Sequence, residues 1–89
     1  MTDIIKPTIH FNGTSRLHLL ETHQRLYSAL DAAMEALKNA APNGRDYYPQ
    51  GDRVILTAID QHRDRGLRIQ SVMNEVAILL EHLADGVDQ

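Results

Sequence analysis

Residues 52–84 read DRVILTAIDQHRDRGLRIQSVMNEVAILLEHLA, and the spacing of the apolar residues in this stretch decides the fold. Ile55, Ile59, His62, Gly66, Ile69, Met73, Val76, Leu80 and Leu83 recur at alternating steps of four and three. That interval returns side chains to one face of an α-helix. Asp52 is placed to cap the first turn and Gly86 to stop the last, so helix is expected over 52–85 with 86–89 as a tail.

The same alternation runs through Leu19, His23, Leu26, Leu30, Ala33, Leu37 and Ala40, flanked at intervals of seven by a second row, Leu20, Tyr27, Met34 and Ala41. This predicts a first helix over 14–41. It starts at Thr14 or Ser15, whose hydroxyls accept from a first-turn amide, and it ends before Pro42. Two seams joined by a loop over 42–51 predict an all-α fold, an antiparallel two-helix hairpin with coiled-coil-like packing. In residues 1–13, Pro7 and the alternation of Ile9 and Phe11 with His10 and Asn12 predict an extended N-terminal arm turning at Gly13. Ile4, Ile5, Ile9 and Phe11 are its available cover for Leu79, Leu80 and Leu83 at the overhanging end of the second helix.

Eighty-nine residues make one domain with little core, and an apolar stripe wider than one partner helix can bury predicts a helical-bundle homo-oligomer. Cysteine is absent, which excludes a disulfide framework and a thiol nucleophile and fits a reducing compartment. No stretch resembles a signal peptide or a membrane span, so the expected protein is soluble and cytoplasmic, with no membrane partner. A net charge of -3 and a pI near 5.9 argue against general nucleic-acid binding.

Five histidines lack the i, i+4 pairing of a metal site, and none is expected. His23 and His62 fall at seam positions where they would set register, His23 opposite Val72 or Met73 and His62 opposite Ala33. Asp64 and Arg68 are spaced for an ion pair within the Arg63, Arg65 and Arg68 cluster, which reads as a solvated face. Gly66 inside the helix implies close approach of another backbone or room for a ligand. With no phosphate loop and no nucleophile elbow, neither catalysis nor a cofactor is expected.

Two polar clusters stand where helices begin. The first is His10, Asn12, Thr14, Ser15 and Arg16; the second is Asn43, Arg45, Asp46, Tyr47 and Tyr48 in the loop NGRDYYPQG, residues 43–51. Helix-start amides with hydroxyls and arginine suit an anion, and tyrosine rings suit a base. Equally, the polar groups suit caps and turn bonds, with the tyrosines lying over the end of the hairpin. A first helix of this length holds the clusters tens of ångströms apart, so a shared ligand requires two chains.

Ile9 to Ser15, reading IHFNGTS, followed by Ala41 to Gly51, reading APNGRDYYPQG, resembles a group of small phage and prophage proteins with an NGTS … N-x-RDYYPQG pattern. The resemblance covers about a fifth of the chain and implies phage origin and a bacterial cytoplasm. By architecture, an oligomeric helical hairpin with polar loops is also similar to phage sponge proteins that sequester cyclic nucleotides or ADP-ribose-type signals of bacterial defence. The function expected is therefore non-enzymatic binding of a small phosphorylated nucleotide signal between chains. The alternative is a helical interaction module that docks on a host or phage protein, with purely structural loops.

Overall fold

Ser15 starts the first helix. In the computed structural model, which describes residues 3–85, its backbone is extended and its Oγ accepts from the His18 amide at 3.1 Å. Ser15, not Thr14, is the cap, and α1 runs Arg16–Asn39. The Ala40 amide closes the last turn onto the Ala36 and Leu37 carbonyls at 3.1 and 3.0 Å, and Pro42 has no amide hydrogen with which to continue. The predicted span of 14–41 thus includes the residues that cap and leave the helix.

Helix α2 runs Val54–Ala84, seven residues longer than the 24 of α1. The expected Asp52 cap is not made: Arg53 precedes the helix without a side-chain cap. Gly51 explains the difference. Its φ of 118° turns the chain, so residues 52 and 53 complete that turn and the Leu56 amide bonds Arg53 O at 3.1 Å. The expected stop at Gly86 and the tail over 86–89 lie outside the described residues.

Short 3-10 turns, Gly44–Asp46 and Tyr48–Gln50, connect the helices, and α1 packs on α2 as an antiparallel hairpin. The α2 seam follows the predicted one, with Met73, Val76 and Leu83 buried and Ile55, His62, Gly66, Ile69 and Leu80 half-buried. Ile59 is more open, and Ala58 takes the inward place. On α1 the frame is rotated. Leu20, His23, Tyr27, Leu30, Met34 and Leu37 face inward, whereas Leu26, Ala33 and Ala40 are exposed. Three of the four second-row residues join Leu19, His23, Leu30 and Leu37 of the predicted seam on the inward face, and the other three seam residues are the surplus.

Each helix C-terminus is held by a donor from the other helix. His62 Nε2 donates to Leu37 O at 2.8 Å, and Arg16 Nη1 donates to Leu83 O at 3.1 Å. Carbonyls near a helix C-terminus carry partial negative charge and spare lone pairs, so both accept a cross-helix donor, Leu37 O in addition to the Ala40 amide. His62 therefore lies a turn beyond the expected Ala33. His23 does not cross the seam; its Nδ1 donates to Leu19 O of its own helix at 2.8 Å. Gly66 meets side chains and no close backbone. A Cβ there would lie 3.6 Å from Leu37 Cδ2 and 4.0 Å from Met34 Sδ, ordinary contact distances.

The arm lies against the end of α2, where His82 Nε2 donates to Pro7 O at 3.0 Å and Ile4, Pro7 and Ile9 are half-buried. Ile5 and Phe11 do not help to cover Leu83: both are exposed. The bond from the Gly13 amide to His10 O at 3.1 Å shows why for Phe11, since the chain is already turning there and the alternation begun at Ile9 is broken.

The hairpin measures 61 × 26 × 19 Å, with a radius of gyration of 18.7 Å. A compact chain of this length would have about 12 Å. Its accessible surface of 6940 Å² exceeds by about 1,700 Å² the ~5,200 Å² of a compact monomer of this mass. Only Met73, Val76 and Leu83 are buried hydrophobic residues among those described.

Candidate functional site

The loop cluster is organised by Asn43. Its Oδ1 accepts the Arg45 amide at 3.0 Å, capping the first 3-10 turn, and the Arg45 Nε at 3.5 Å. Its Nδ2 donates to Asp46 Oδ2 at 3.2 Å. One amide side chain thus holds both charged residues beside it. Tyr47 and Tyr48 part company next: Tyr47 is half-buried, whereas Tyr48 is 71% exposed. The Gln50 and Gly51 amides return to the Tyr47 and Tyr48 carbonyls at 2.9 and 3.0 Å and close the second 3-10 turn. The tip therefore carries an exposed aromatic ring and a guanidinium held by Asn43, on a backbone already folded into turns.

The arm corner is built differently. His10 folds its ring over Gly13, where a Cβ would come within 2.7 Å of Nε2, so glycine admits this close approach. Asn12 and Thr14 are exposed, Ser15 is committed to the His18 amide, and Arg16 reaches across to Leu83 O. Ser15 therefore caps α1, and Arg16 ties the base of the hairpin together. His10, Asn12 and Thr14 are the exposed members of this cluster that neither cap α1 nor cross to α2.

The structure does not bring the two clusters together. They occupy opposite ends of α1, which at 24 residues and 1.5 Å per residue is about 36 Å long. Open depressions between Asp31 and Asn39 on α1 and between Thr57 and Arg68 on α2 contain none of the candidate residues. The second is lined in part by Asp64 and Arg68, whose expected ion pair is formed at 2.9 Å. No group of three metal-binding side chains gathers among the described residues, and no helix there is long and apolar enough to cross a membrane.

Sequence reasoning missed the structural use of Arg16 and His82. Arg16 stands beside two hydroxyls and reads with them as an anion ligand, yet its partner carbonyl is 67 residues away. His82 bonds a carbonyl 75 residues away. Backbone carbonyls carry no sequence signature, so neither bond could be read from residue types. No protein-family model, curated protein or solved structure matches the chain.

Proposed function

We propose that this chain is a non-enzymatic binding protein that assembles with copies of itself and sequesters a small phosphorylated nucleotide, cyclic or of ADP-ribose type, at pockets between chains. In this reading it is a phage protein that acts against a defence signal in the bacterial cytoplasm. The observation that supports the reading is the tip, where one short loop carries an exposed Tyr48 ring and an Arg45 that Asn43 holds on a preorganised turn. A ring and a guanidinium on one loop suit a base and a phosphate, and preorganisation lowers the entropy lost on binding. The exposed His10, Asn12 and Thr14 of a second chain supply the opposite wall, and Asn43, Asp46 and Tyr47 complete the near one.

Thermal melting with cyclic di- and trinucleotides and ADP-ribose derivatives tests this. A ligand present at a hundred times its Kd stabilises by about 2.7 kcal/mol, a shift of roughly 10–20 °C for a domain of this size. Arg45→Ala and Tyr48→Ala should each remove most of that shift. If no member of the panel moves the melting temperature, the nucleotide reading fails. The alternative, a hairpin that docks on a host or phage protein, draws on the contact between Arg45 and Asn43, which already gives the arginine a structural use.

A further inference from the structure

The large apolar side chains that the hairpin leaves most open gather at its two ends. Ile5, Phe11 and Leu17 lie at the arm corner, 86%, 99% and 66% exposed, and Tyr48 and Leu56 lie at the tip, 71% and 56% exposed. Among the described large apolar residues more than half exposed, only Leu67 lies between these groups. The length of α1 keeps the ends apart, so one chain cannot cover its own anchors.

We infer that a second copy of this chain lies antiparallel beside the first, with the Phe11 corner of each copy seated against the Tyr48 and Leu56 tip of the other. With three buried hydrophobic side chains among the described residues, the lone hairpin is short of core and needs cover whenever it is folded. Only its own copies are present whenever it is. A two-fold axis then makes both end contacts equivalent, and an aromatic ring left bare at each end gains a partner ring. The area agrees. A standard interface takes about 800 Å² from each partner, and the surplus of about 1,700 Å² on this chain is enough for that pairing and a further one. The inference deepens the assembled form of the reading above, since it places the tip of one chain against the arm corner of another, but it requires no ligand.

The absence of cysteine gives a clean test. Asn12→Cys and Gln50→Cys, both at exposed positions at the two ends, are made singly and together and oxidised without nucleotide. Covalent dimers in the double variant alone are expected, because a disulfide forms only where Cα atoms approach within about 7 Å. Cross-linking of either single variant would put like ends together and overturn the pairing, as would no cross-link in the double variant. Phe11→Ala isolates the anchor, since a ring 99% exposed does not support the fold of its own chain. Self-association should weaken about thirtyfold or more, as for a buried aromatic hot spot; unchanged association would remove Phe11 from the interface. Cross-linking without a thermal shift from any nucleotide keeps the pairing and removes the nucleotide reading. A shift without cross-linking does the reverse.

Discussion

Gly66 sits in the middle of α2 with space above it. A methyl group added there would have Leu37 Cδ2 and Met34 Sδ as its nearest neighbours, at distances that it tolerates. Helical glycine costs about 1 kcal/mol relative to alanine, so Gly66→Ala should stabilise the protein by about that amount, measured by chemical denaturation. Destabilisation instead would mean that the backbone of another chain comes close at Gly66. His62, one turn away, illustrates a different use of a polar seam residue. Its bond to Leu37 O adds a cross-helix donor to a terminal carbonyl of α1 and fixes where that helix ends against α2.

At the scale of elements, the tip depends on one glycine and not on the other. Gly51 has φ 118° and ψ 158°, a region that side chains rarely enter, whereas Gly44 has an ordinary φ and open space around it. Gly51→Ala should cost about 1–3 kcal/mol in denaturant unfolding, and Gly44→Ala should change stability by less than about 0.5 kcal/mol. Equal effects would contradict a turn directed by Gly51 alone. The hairpin, its arm and the α2 seam were legible because periodicity reports which residues share a helix face. The α1 frame was not, because two overlapping sets satisfied it: Leu26, Ala33 and Ala40 keep the spacing as well as Leu20, Tyr27 and Met34 do. Periodicity locates a broad stripe; only the partner selects which edge of it is buried. The start of α2 shifted for a local reason, since an aspartate cannot cap a turn that the preceding glycine has already directed elsewhere. At the candidate site, residue types picked out the loop but could not show that Asn43 holds Arg45, nor that Arg16 serves Leu83 O.

Across the whole molecule, the rotation of α1 and the thin core have one consequence. Leu26, Ala33 and Ala40 form an open row along α1, while Phe11 and Tyr48 stand bare at the ends. A single hairpin of this kind has few buried side chains to offset the conformational entropy lost by ordering its chain. In the proposed assembly a second chain would supply the missing burial, and would also let the arm corner and the loop, held apart within a chain, face a common ligand. The most direct measurement is sedimentation of the purified protein at micromolar concentration, with melting followed over the same range. Assembly predicts a mass that is a multiple of 10.0 kDa and a melting temperature that rises with concentration. A cooperatively folded 10.0 kDa monomer with a concentration-independent melt would contradict it.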